Sequence, residues 1–109
     1  MNPTRLVLVT ALLATSAVAQ AASPSFDCAK ATHDVEKLIC KDAELAKLDN
    51  SLSSLYHTLM KNTSAAEQKL LKTEQRGWVK GRDDCWKSDD MRGCVASEYQ
   101  YRINELKDR

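Results

Sequence analysis

An excess of charge of either sign is what this sequence most clearly lacks. Its 16 lysines and arginines face 15 aspartates and glutamates, a formal net charge of +1. A nucleic-acid binder needs a basic stripe that displaces phosphate counterions, so nucleic acid is not expected as a partner. Long apolar runs are missing too. The one candidate, residues 6–13, is too short and too diluted with alanine and threonine to cross a bilayer. Motifs that carry chemistry are equally scarce. His33 and His57 stand alone, without HExxH spacing or a third ligand, so no metal site is expected. There is no G-x-S-x-G elbow and no phosphate-cradling glycine loop. Asp83-Asp84 and Asp89-Asp90 are chain neighbours whose side chains point apart, whereas paired acid/base catalysis needs carboxylates converging on one bond. A binding protein without catalytic residues or a cofactor is therefore favoured over an enzyme. No period-two strand pattern, internal repeat or low-complexity tract competes with an all-α fold.

What is present begins with a segment that does not belong to the fold. Arg5 supplies a positive start, residues 6–13 an apolar centre, and Ala17-Val18-Ala19 or Ala19-Gln20-Ala21 a small-x-small cleavage pattern. Together they read as a secretory signal peptide over residues 1–21. Its removal deletes Arg5 and no acidic residue, leaving 15 basic against 15 acidic side chains and a formal charge of zero. No cysteine stands at the cleavage region, so a soluble periplasmic or secreted product is expected rather than a lipid-anchored one. The remaining residues 22–109 make one small domain, near the size at which a hydrophobic core alone is marginal.

Four cysteines, Cys28, Cys40, Cys85 and Cys94, offer the missing reinforcement. An even count in a small secreted chain reads as disulfides. Eleven residues separate the first two and eight the last two, spacings that match no zinc ligand pair. Pairing Cys28 with Cys40 and Cys85 with Cys94 is favoured, since each bond then closes a local loop beside a helix end. The crossed pairings stay open at this level.

The chain is organised around residues 71–85, where Leu71, Gln75, Trp78, Arg82 and Cys85 recur at alternating steps of four and three. Such spacing puts them on one helical stripe that must face the core. A buried glutamine or arginine needs partners, so the stripe implies a polar network. Upstream, Thr32 can cap a short helix through Cys40 with Val35, Leu38 and Ile39 as its apolar side. Asp42 can cap a second helix, about 43–61, with Leu45, Leu48, Leu52, Leu55, Tyr56 and Leu59 on one face. Asp49 lies at the edge of that face, and Arg82 on another helix is expected to pair with it or, alternatively, with Gln75 and Tyr56. Ser64-Ala65-Ala66-Glu67 is a capping box that starts the central helix, which is expected to reach about residue 86. Gly77 and Gly81 interrupt it, on a face read as exposed. Met91, Val95, Tyr99, Ile103 and Leu106, with Arg102 on the same side, mark a last helix over about 91–107. The expectation is a small disulfide-stapled bundle of three main helices and one short N-terminal helix. Between the last two cysteines, Trp86, Ser88, Asp89 and Asp90 form a polar, aromatic loop that a Cys85–Cys94 bond would hold ready for recognition.

The ordered series Phe26-Asp27-Cys28, Val35 to Cys40, Glu44-Leu45, Leu48-Asp49, Tyr56, Gln75-Arg76-Gly77-Trp78-Val79, Arg82-Asp83, Cys85, Cys94 and Tyr99 to Leu106 resembles the lysozyme inhibitor LprI-like N-terminal domain family. The resemblance runs over nearly the whole chain after the signal peptide. It implies a helical, disulfide-containing, cell-envelope or secreted bacterial domain whose partner is a lysozyme-type muramidase. The rival implication is a structural or interaction module that binds another envelope protein. Asp49, Tyr56, Gln75, Trp78 and Arg82 fall on the matching positions and are expected to form the structural polar network. Trp86, Ser88, Asp89 and Asp90 are the expected contact surface, their acidic and aromatic character suiting a basic enzyme.

Overall fold

The computed structural model describes residues 23–109, and the signal-peptide reading falls on residues outside that range. Helices form where the apolar spacing demands them, and most begin at a side chain that satisfies their first amides. Asp34–Lys41 forms α1, Ala43–Lys61 α2, Ala65–Asp83 α3 and Met91–Lys107 α4. Asp42 Oδ1 accepts from the amides of Glu44 (3.0 Å) and Leu45 (3.2 Å) at the start of α2. Ser64 Oγ accepts from Glu67 at 3.3 Å to open α3. Asp90 Oδ1 accepts from Gly93 at 2.9 Å to open α4. A capping side chain of this kind is worth about 1 kcal/mol.

Two boundaries differ from the sequence expectation. His33, not Thr32, caps α1: its Nδ1 accepts from the Val35 amide at 3.2 Å, because the helix starts one residue later than a threonine cap would need. The central helix stops at Asp83 rather than near residue 86, and Asp84–Lys87 tightens into a 3-10 turn. That tightening turns Cys85 inward, where it is 2 % exposed and bonded to Cys94 across a Cα–Cα distance of 5.6 Å. A second 3-10 turn, Cys28–Lys30, is capped by Asp27 and tied by Cys28 to Cys40 at the end of α1. The favoured disulfide pairing is the one present.

The core is built from Val35 and Ile39 of α1, Leu45 and Leu52 of α2, Leu71 of α3, Cys85, and Val95, Tyr99 and Leu106 of α4. In packing, α4 is the central element, set against both α2 and α3, while α1 crosses all three. Because α3 leans on α4 and α1 rather than on α2, the two longest helices leave a groove between them. Gly77 and Gly81 stand on the outer face of α3, where a Cβ at either position would meet nothing within 4 Å.

Candidate functional site

The floor of the groove between α2 and α3 is a buried polar chain that joins three helices and the non-helical N-terminal strap, residues 23–27. Asp49 of α2 is 6 % exposed, Arg82 of α3 also 6 %, and Tyr99 of α4 0 %. The Tyr99 hydroxyl donates to Asp49 Oδ1 at 2.7 Å and accepts from Arg82 Nη1 at 3.0 Å. Arg82 does not meet Asp49 directly, contrary to the simplest expectation, because α2 and α3 are held apart and the phenol of the intervening α4 spans the gap. The remaining donors of Arg82 go to its chain neighbour: Nε and Nη2 donate to Asp83 Oδ1 at 3.0 and 2.8 Å. The other oxygen of Asp49 accepts from both the backbone N–H and the hydroxyl of Ser25, each at 2.6 Å. Asn50 adds a bond from its Nδ2 to the Ser23 carbonyl at 2.7 Å, so the strap is nailed along α2.

Electrostatics follow from that geometry. Burial pushes the Tyr99 phenol well above its ordinary value, Asp49 pushes it the same way, and Arg82 opposes them only in part. The hydroxyl therefore stays protonated and keeps its donor for Asp49. Burial alone would lower the Arg82 guanidinium, but Tyr99 and Asp83 outweigh it and hold Arg82 above its usual value. Aromatic rings enclose the same cation: Arg82 Cζ lies 5.7 Å from the Trp78 ring centre, 5.9 Å from Phe26 and 6.0 Å from Tyr99. Contacts of this type strengthen when desolvated.

The other stripe residues have different partners. Gln75 Oε1 accepts from Arg102 Nε at 2.9 Å, which takes Gln75 into a second network with α4 instead of joining Arg82. Arg102 is 5 % exposed, and Glu74 and Glu105 lie 3.7 Å from its guanidinium. Trp78 donates from Nε1 to the Glu98 carbonyl at 3.1 Å and packs edge-on against Tyr99. Tyr56 is half-buried on the groove wall, and among the described residues no hydrogen bond joins it to either network. The groove itself encloses about 350 Å³.

Sequence reasoning did not find Ser25, Asp83 or Tyr99 as partners. Ser25 and Asp83 carry no periodic signal. Tyr99 carried one, since a phenol on the apolar stripe of α4 must place its hydroxyl somewhere.

The loop between the last two cysteines lies elsewhere on the surface. Trp86 is 53 % exposed, while the adjoining Cys85 is buried. Ser88 Oγ accepts from the Asp90 amide at 3.1 Å, and Asp90 caps α4, so two of the four loop residues also fix the loop's shape. Asp89 is exposed. A shallow depression beside the indole is lined by Lys37, Lys41 and Asp34 of α1 together with Met91, and Lys87 Nζ lies 5.7 Å from the Trp86 ring. The charge around Trp86 is therefore mixed rather than acidic.

Among the described residues no group of three or more His, Cys, Asp or Glu is placed to hold a metal ion, and no helix is long and apolar enough to cross a membrane. The model of the family described as Lysozyme inhibitor LprI matches residues 28–106. The chain is 34 % identical over 108 residues to proteins named Lipoprotein LprI from Mycobacterium bovis and Mycobacterium tuberculosis, covering 92 % of this chain. It spans about half the length of those curated relatives, 53 %. No solved structure matches.

Proposed function

The chain belongs to the lysozyme inhibitor LprI family, and from that premise we propose that it is a secreted or periplasmic binding protein that inhibits a lysozyme-type muramidase by occluding its substrate cleft. The contact surface in this reading is the disulfide-held loop, with Trp86 as anchor and Ser88, Asp89 and Asp90 around it. The observation that carries it is an indole 53 % exposed on a 3-10 turn whose next-door residue is buried and bonded to Cys94. A large aromatic held out on a pre-ordered turn loses little freedom on binding, and such residues dominate interface energetics. The mixed charges on either side, Lys37 and Lys41 against Asp89, set orientation more than affinity.

Residual lytic activity titrated with variants tests the loop. Trp86→Ala is expected to weaken inhibition at least ~10-fold, the effect of about 1.4 kcal/mol. Asp89→Asn with Asp90→Asn, which keeps the helix cap, is expected to slow association with a smaller change in the end point. Helical circular dichroism should be unchanged in both. Inhibition by Trp86→Ala equal to that of the parent chain would remove the loop from the contact surface.

A further inference from the structure

The groove between α2 and α3 carries a set of polar groups that the fold does not use. Gln75 gives its carbonyl oxygen to Arg102, which leaves the amide N–H groups free to donate. Among the described residues, the Glu36 carboxylate and the hydroxyls of Ser53 and Tyr56 have no hydrogen-bond or ion-pair partner, yet all line this one groove. Carbon surface lies beside them. Trp78 has already placed its N–H on the Glu98 carbonyl, so what it offers the groove is its ring, and Phe26 adds another.

That combination selects a ligand class. An anion is disfavoured, because Glu36 and Asp49 line the groove while Arg82, the one cation among the described residues that line it, is engaged by Tyr99 and Asp83. A second cation would lie beside Arg82, whose guanidinium already stands over the rings of Trp78 and Phe26. A purely apolar ligand would strip water from a carboxylate, an amide and two hydroxyls and return nothing to them. A neutral sugar answers every demand: its hydroxyls both donate and accept, and its ring C–H groups pack on aromatic carbon. The volume of about 350 Å³ lies at the small end of ligand sites, which run from about 300 to 1,000 Å³.

We propose that this groove is a glycan-binding site for a neutral sugar of one or two rings, with the carbon surface that Trp78 and Phe26 contribute to its lining as the apolar wall and Glu36, Ser53, Tyr56 and Gln75 as hydroxyl partners. The site is separate from the Trp86 loop and does not rest on inhibition of a muramidase. It would let the protein hold a neutral sugar unit while the loop remains free.

The test is an amide and indole NMR titration of the oxidised mature protein with the two-ring sugar N,N′-diacetylchitobiose. Saturable shifts are expected at Trp78, Gln75, Tyr56 and Ser53, with half-saturation in the millimolar range and no change at Trp86. Ser53→Trp, which fills the groove from its rim, and the double variant Glu36→Ala/Tyr56→Phe should each weaken binding at least ~10-fold while the fold and any lysozyme inhibition persist. No saturable shift up to about 20 mM sugar, shifts centred on Trp86, or undiminished binding by Ser53→Trp would each overturn the assignment. So would an arginine amide titration that perturbs the groove when the sugar does not.

Discussion

Tyr99 stands where phenylalanine would fill the same space, yet its hydroxyl joins Asp49 to Arg82 in the interior. Removing that single oxygen leaves a buried carboxylate oxygen and a guanidinium N–H each short of a partner, and a deprived buried group costs about 1–3 kcal/mol. Tyr99→Phe is therefore expected to lower unfolding stability by about 2 kcal/mol, read from urea midpoints at constant slope. Tyr101→Phe, at a residue 66 % exposed, should stay within about 0.5 kcal/mol. Equal effects of the two would mean that the hydroxyl bridge contributes nothing. This network was half legible in the sequence. Gln75 and Arg82 on an apolar stripe announced buried polar partners, and Asp49 at the edge of the α2 face suggested one of them. The bridging phenol was not, because helical periodicity places a residue on a face but says nothing of the distance between helices.

At the scale of elements, α2 and α4 match the expected limits: Asp42 and Asp90 cap their first turns, and Leu45 and Leu52 of α2 and Val95, Tyr99 and Leu106 of α4 are buried. The end of α3 falls short of the expected residue 86 because the backbone tightens into a 3-10 turn at Asp84–Lys87, although the stripe continues through Cys85. Asp42 couples two elements: it caps α2 and its Oδ2 accepts from Arg92 Nε of α4 at 2.6 Å. The Arg92 hydrogen bond, with the capping amides, holds the Asp42 carboxyl below its usual range, and Arg109 does the same for Glu74. A carboxyl depressed by folding stabilises the folded state above its unfolded pKa and loses that contribution as pH falls through the folded value. These two groups should therefore leave stability flat between neutrality and about pH 5 and erode it below about pH 4. Asp42→Ala should make the acid limb of a stability-pH curve shallower and cost about 1 kcal/mol at neutral pH. An unchanged acid limb would refute the coupling. On the outer face of α3, Gly77→Ala and Gly81→Ala meet no neighbour within 4 Å, so each should raise stability by up to about 1 kcal/mol. A loss instead would indicate that this face is occupied in solution.

For the whole molecule, the two disulfides divide the work between scaffold and surface. Cys28–Cys40, with a sequence separation of 12, ties the strap to α1, and Cys85–Cys94, with a separation of 9, holds the loop that presents Trp86. Replacing Cys28 and Cys40 together by alanine should cost about 2–3 kcal/mol and loosen the strap whose Ser25 caps Asp49, while leaving Trp86 on its turn. Replacing Cys85 and Cys94 should weaken any contact made by the loop and, because Cys85 belongs to the core, also lower the melting temperature. Equal losses of binding from the two double variants would mean that the contact surface is not local to the loop. The most direct test of the central reading is lysozyme activity on cell walls, titrated with the purified, oxidised mature protein and with a reduced, alkylated control. Inhibition that saturates near one protein per enzyme and disappears in the control is the predicted result. Undiminished lysis at excess oxidised protein, across the different lysozyme classes, would contradict it.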